Sequence, residues 1–220
     1  MQKLMIRLIP LLVLLLLADV KQAGAQGVSS YFGIGSATDG AGTSPGCSPQ
    51  FIFDEITAAC EAAPKMGGVF GVIGADFMIR PHFGVNAEYS FRFAQASYLP
   101  NAGLNVRPGF YDFNAIYQPT SGDKRIVPVL EGGIGGAKLS FYFNQQSCAT
   151  PSVCTSQSAF VASSNHFQLH GAVGVKLYLN SDVFIKPQFD IHWVDHLNQQ
   201  YGRNFVPQYT ISVGYTFGQH

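Results

Sequence analysis

Charge is scarce in this chain. Of 220 residues, only 13 are Lys or Arg and 13 are Asp or Glu, 12% in all. An ordinary soluble domain carries about twice that share. Hydrophobic residues stand at a normal 47%, so too few charged side chains remain to coat a water-exposed globule. Part of the surface should therefore meet something other than water. The formal net charge is zero, which removes the basic excess needed to neutralise phosphates and argues against a nucleic-acid partner. Long apolar runs are also missing: none reaches the roughly 18 residues of a membrane-spanning helix. Disorder is excluded from the other side, because aromatics make up 13% of the chain and no charge excess expands it. The length allows one domain or two small ones.

What is present begins with an address. Lys3 and Arg7 precede an apolar run from Leu8 to Ala18, broken only by Pro10, and Ala23-Gly24-Ala25 follows. A basic start, a short apolar stretch and an A-x-A end make a secretory signal peptide; a buried N-terminal helix is the competing reading. Residues 1–25 are thus expected to be removed, leaving 26–220. Cleavage takes away Lys3, Arg7, Lys21 and Asp19, so the mature chain keeps 10 basic and 12 acidic groups. Its first residue is Gln26, not Cys, so no lipoprotein anchor is expected.

Export suits the four cysteines, Cys47, Cys60, Cys148 and Cys154. An even number in an exported chain suggests two disulfides, with three pairings open. The local pairs Cys47–Cys60 and Cys148–Cys154 are favoured because each sits in one connecting segment. No His neighbours either pair in sequence, which disfavours zinc.

After Ala25 no window holds a 3.6 period. Alternation recurs instead, in eight segments. In the clearest, Phe83, Val85, Ala87, Tyr89, Phe91 and Phe93 share one face, and Gly84, Asn86, Glu88, Ser90 and Arg92 the other. Segments 167–179, 183–193 and 205–217 repeat the pattern, with Lys176, Lys186 and Asp190 on their polar faces. Weaker alternation covers 28–37, 66–80, 107–118 and 125–143. The run Gly132-Gly133-Ile134-Gly135-Gly136 blurs the pattern and is expected to hold a bulge or bend. Short connections (Arg80-Pro81-His82, 119–124 and Asn180-Ser181-Asp182) alternate with long ones (38–65, 95–105, 144–165 and 195–204). Strands joined in this way form an antiparallel up-and-down meander. The expected fold class is all-β, an eight-stranded antiparallel up-and-down transmembrane β-barrel, with a soluble barrel as the alternative.

Two barrels fit eight alternating strands. A soluble carrier barrel hides its apolar face, whereas a membrane barrel turns that face to lipid and its polar face to the lumen. A water-facing exterior should be dense in Lys and Glu. Here the polar face is mostly Gly, Ala, Ser, Asn, Gln and Thr, which suits a crowded lumen. The apolar face carries Phe83, Tyr89, Tyr111, Tyr117, Trp193, Tyr209 and Phe217, several near segment ends where interfacial aromatics belong. The membrane barrel is the reading these features favour.

The signal peptide, eight alternating segments, and short turns opposite long loops resemble the small Gram-negative outer-membrane barrels, of which the OmpA transmembrane domain, OmpX and OmpW are type members. The resemblance covers about Gly27 to Phe217. The last segment, with Tyr209, Ile211, Val213, Tyr215 and Phe217, is similar to the family's terminal insertion signal, although Gly218-Gln219-His220 continue past the usual terminal aromatic. The resemblance implies termini and short turns in the periplasm and long loops outside. It implies outer-membrane lipid and lipopolysaccharide as surroundings, and handling by the barrel-assembly machinery through the C-terminal strand. The peptidoglycan-binding domain of full-length OmpA has no expected counterpart.

If the polar faces point inward, the lumen holds Asp76, Glu88, Asp112, Glu131 and Asp190 with Arg92, Lys176, Lys186, His170 and His192. Buried charges must be paired or hydrated, so a pairing network that fills the lumen is expected, with a narrow pore as the alternative. Catalytic signals are weak. His192, Asp195 and His196 cluster at one strand end, while Ser163 and Ser164 lie elsewhere, and a serine mechanism needs Ser, His and an orienting acid in contact. His192 and His196 would share a face only on a helix, and their segment reads as strand. No catalytic residue, cofactor or metal is expected. The leading function is a structural or surface-interaction role through the long loops and an extracellular ligand. Asp39, Asp54, Glu55 and Glu61 against Lys65 favour a cationic one. A narrow solute channel is the runner-up, followed by a lipid-modifying enzyme and a soluble periplasmic carrier.

Overall fold

A computed structural model describes residues 27–38, 46–48, 51–54, 58–62, 64, 66–99, 103–120, 124–150, 153–201 and 203–218, the side chains of 52, 54, 99, 145–150, 153–156, 199 and 200 excepted. The expected signal peptide at 1–25 lies outside the described residues. Eight long strands make the barrel: β1 (Val28–Ala37), β4 (Gly68–Arg80), β5 (Phe83–Arg92), β7 (Leu104–Tyr117), β8 (Ile126–Thr150), β9 (Val153–Tyr178), β10 (Val183–Val194) and β11 (Phe205–Phe217). Three short elements sit in the connections: the β2–β3 hairpin (Phe51–Asp54 and Ala59–Ala62) and β6 (Ala96–Leu99), with the one-turn helix α1 (Asn198–Tyr201) before β11. Consecutive barrel strands pair antiparallel, and β1 pairs β11 from Val28↔Phe217 to Ala37↔Gln208, which closes the ring. Closure leaves no barrel edge, so every strand of the wall has two backbone partners, as a bilayer requires.

Alternation sorts the side chains as period two dictates. Along β11 the burial switches at every residue, with Tyr209, Ile211, Val213, Tyr215 and Phe217 exposed and Gln208, Thr210, Ser212 and Thr216 buried. The exterior is a continuous apolar wall, with Phe32 69%, Phe113 64% and Phe167 52% exposed. Such a wall is stable only against hydrocarbon. The soluble-carrier alternative, which needs these faces inside, is overturned.

The glycine run holds neither bulge nor bend. Pairing of β8 with β7 is unbroken from Leu130 to Phe143, and its pairing with β9 first shifts register at Phe141 and Tyr142. The glycines provide space instead. A Cβ on Gly133 would collide with Asn114 Oδ1, and one on Gly135 would lie 2.8 Å from Asp112 Oδ1. Two lumen side chains of β7 therefore lie flat against β8.

The expected loop 144–165 is also absent. β8 and β9 continue past the barrel as one hairpin, paired to Thr150↔Val153 with register shifts at Phe141/Tyr142 and Cys148/Thr150. Among the described residues neither strand pairs with a third there: the ladder with β7 ends at Phe143 of β8, and the ladder with β10 ends at Gln168 of β9. In the first long connection, Cys47 and Cys60 form the expected disulfide, with Cα atoms 5.7 Å apart. The second expected bridge, Cys148–Cys154, falls on side chains outside the described part; the backbone register sets those two residues opposite each other. Glu61, counted among the solvent-facing loop acids, is buried at 4% exposure.

Candidate functional site: a polar lumen

The site is assembled from one residue in two along each strand. Asp76 comes from β4, Glu88 from β5, Asp112 from β7, Glu131 from β8, His170 and Lys176 from β9, and Lys186, Asp190 and His192 from β10; all are buried. Lys176 Nζ lies 2.8 Å from Asp76 Oδ2, and Lys186 Nζ 2.7 Å from Glu131 Oε1. Each lysine is also backed by an aromatic ring, Lys176 over Phe184 at 4.9 Å and Lys186 over Tyr31 at 4.3 Å. The paired carboxylates, hydroxyls and ring faces replace the hydration these ammonium groups lose.

Neutral side chains join the pairs into one network. Tyr31 donates to Glu88 at 2.6 Å, and Asn86 donates both to Tyr31 Oη and to Asp76, each at 2.7 Å. Asn114 donates to Asn86 at 2.9 Å. His170 Nδ1 lies 2.9 Å from Asn114 Oδ1, and its Nε2 3.3 Å from Asp190. Both ring nitrogens therefore face side-chain oxygens. Gln188 donates to Asp190 and Gln168 to Asp112. Tyr31, Asn86, Asn114, Gln168 and Gln188 were not singled out from sequence, although their positions in the alternation carry that signal. The close approach of Tyr31 needs Gly74, where a Cβ would collide with the phenol.

Arg92 is placed differently from the other expected lumen charges. It is half-buried near the loop end, its guanidinium against Gly68, where a Cβ would meet Nε at 2.5 Å.

Buried apolar clusters stand at both ends. Toward the loops, eleven buried residues form a plug that includes Met66, Phe70, Val106, Phe110, Leu139, Leu197, Tyr201 and Val206. Toward the turns stand Met78, Ile116 and Val129. An aromatic stack links plug to network: Phe70 to Phe110 at 5.9 Å, Phe110 to His192 at 4.4 Å, and His192 to His170 at 4.8 Å.

The histidines do not meet as the sequence arranged them. His196 is exposed and pairs with Asp195 at 2.7 Å, away from His192. His192 instead joins His170 and Asp112, with one ligand-type atom of each within 4.8 Å of the others. Ser164 Oγ lies 3.2 Å from His166 Nε2, but His166 Nδ1 faces the Asp195 main-chain oxygen at 3.1 Å. The Asp195 carboxylate is turned to His196, so no acid orients that imidazole.

No protein-family model matches the chain. No curated protein matches it either. Solved structures do. The outer membrane protein OprG from Pseudomonas aeruginosa aligns at 13% identity over 88% of this chain and 96% of its own, with a TM-score of 0.50. A major outer membrane protein from Thermus thermophilus aligns at 11% identity over 86% and 99%, with a TM-score of 0.51. The fold is that of the small bacterial outer-membrane β-barrels. The apolar wall makes this one a membrane-spanning barrel.

Proposed function

We propose that the chain is exported under residues 1–25 and stands in the outer membrane as a non-catalytic scaffold. Its lumen network fixes the barrel, and its loop end meets partners outside. The observation that carries this reading is the β8–β9 hairpin. It runs twelve residues beyond Lys138, to Thr150, which is about 40 Å at the usual strand rise. No Asp, Glu, Lys or Arg occurs from 139 to 175. Natural exposed edges are commonly guarded by charge against pairing with other chains. An unguarded projecting hairpin suits recognition through backbone pairing, with Phe160 and Val161, 60% and 58% exposed, as apolar contacts. The disulfide-clipped β2–β3 hairpin offers a second contact surface on the same side. Assembly through the C-terminal strand β11 and a setting of outer-membrane lipid and lipopolysaccharide belong to this reading.

The test separates scaffold from channel. Pure folded protein in planar bilayers should give no conductance steps, because in this reading the charge network and the apolar clusters fill the bore; stepwise conductance would refute the scaffold. Cells displaying the protein should lose adhesion or mutual aggregation when 144–158 is replaced by a two-residue turn, while heat-modifiable migration persists. Removing 40–62 gives the matching test of the first connection. If both shortened proteins adhere as the parent does, the loop end is not the interaction surface.

A further inference from the structure

Above the turn end, only two charged side chains project from the outer wall of the barrel strands among the described residues, and they stand together. Arg107 shares the outward parity of Tyr111 on β7, and exposed Lys138 that of Ile134 on β8. The register sets Gly109 opposite Lys138 and Arg107 opposite Ser140, so the two cations are diagonal neighbours across one strand pair. They line a shallow cleft with Tyr89, Phe91, Ser140 and Tyr142, floored by Gly109. Arg107 Nε donates to the Arg92 main-chain oxygen at 2.7 Å, which steadies the guanidinium beside the cleft. Among the described residues no carboxylate pairs with either cation; the five ion pairs all involve other residues.

The height of this cleft identifies its surroundings. Strands tilted by about 40° climb roughly 2.6 Å per residue along the barrel axis. Arg107 is ten residues above Tyr117, and the register sets Lys138 level with Gly109, eight above Tyr117, so they stand about 26 and 21 Å above the end of β7. The apolar band of such barrels is about 25 Å tall. Both cations therefore sit at its far boundary, at the level of lipid headgroups. Below them Tyr89, Phe91 and Tyr111 present rings to the acyl region.

We propose that this cleft binds the phosphate of an anionic lipid in the outward-facing leaflet. The Arg107 guanidinium and the Lys138 ammonium engage phosphate oxygens, the Ser140 and Tyr142 hydroxyls donate beside them, and an acyl chain lies along Tyr89 and Phe91. The cleft opens sideways onto the apolar wall, which favours a phosphate carried on a lipid over a free one. The assignment rests on the membrane-spanning reading with the loop end outward.

The experiment uses the folded barrel in phosphatidylcholine vesicles doped with bisphosphorylated lipid A, released for native mass spectrometry. One lipid A should stay bound to the parent protein. Retention should fall about tenfold for each of Arg107→Gln and Lys138→Gln, the loss expected for a charge-assisted hydrogen bond. Lys138→Arg should keep it, and Arg125→Gln at the turn end should not change it. Dephosphorylated lipid A should be retained poorly by the unmodified protein, a comparison that needs no variant to fold. Equal retention of both lipids, or full retention by the Arg107→Gln/Lys138→Gln double variant, would overturn the site. Displacement by millimolar inorganic phosphate would make it a soluble-anion site and overturn the lipid assignment. Protein that enters vesicles but keeps no lipid refutes the cleft alone; protein that does not enter them refutes the membrane reading as well.

Discussion

The lumen and the outer wall are made by alternate residues of the same eight strands, and they follow opposite rules. The wall is large and apolar, and its contacts are with lipid, so single positions there are nearly interchangeable among hydrophobic residues. The lumen holds charge away from water, so each member depends on named partners: Asp76 on Lys176, Glu131 on Lys186, Glu88 on Tyr31. Tolerance to mutation should therefore alternate along each strand in step with the pleat.

The strongest way to break this contrast is Lys186→Met. It strands Glu131 in a dry interior and should cost about 3–5 kcal/mol, read as a lower denaturant midpoint for the micelle-bound barrel. Adding Glu131→Leu should restore most of that loss, because a buried pair replaced whole is often neutral. Recovery by less than a quarter would mean that the pair is not the unit of stability. On the wall, Val173→Arg places a charge about five residues above the turn end, near mid-band, and should cost about 2–4 kcal/mol. The same charge at Asn165, level with Lys138 across the ladder, should cost under about 1 kcal/mol. Equal costs at the two heights would contradict this placement of the barrel in the bilayer. Gly74→Ala forces Tyr31 away from Glu88 and should destabilise by about 1–3 kcal/mol, the usual range for overpacking. The smallest effect is expected at Cys47→Ser. Barrel stability should stay within about 0.5 kcal/mol, as for a change remote from the core, while protease nicking of the β2–β3 hairpin rises.

The barrel was legible because one face of each strand is apolar throughout. β1 and β11 begin and end where the alternation does, at Val28–Ala37 and Phe205–Phe217. The outer half of the β8–β9 hairpin was not, because a ribbon wet on both sides needs no apolar face and leaves no periodic trace. The lumen charges could be listed from parity, but their partners could not. Which side chains meet across the bore depends on the height of each strand in the ring, a quantity set by closure rather than by any local pattern. The same gap hid the neighbours of His192: Phe110 and His170 are distant in sequence and level in space. The glycine run misled for a related reason. Its missing side chains accommodate Asp112 and Asn114 from the neighbouring strand, and nothing within 132–136 announces that.

The seam between β1 and β11 joins the first described strand to the last through ten register pairs. Until the thirteen residues of β11 have left the ribosome and crossed the inner membrane, β1 has no partner on one side, and hydrocarbon would meet bare amides. Completion of the cylinder is thus tied to delivery of the tail. A chain truncated before Phe205 should linger as an open, protease-sensitive sheet awaiting another strand, and a quality-control protease could tell finished from unfinished molecules by that gap alone.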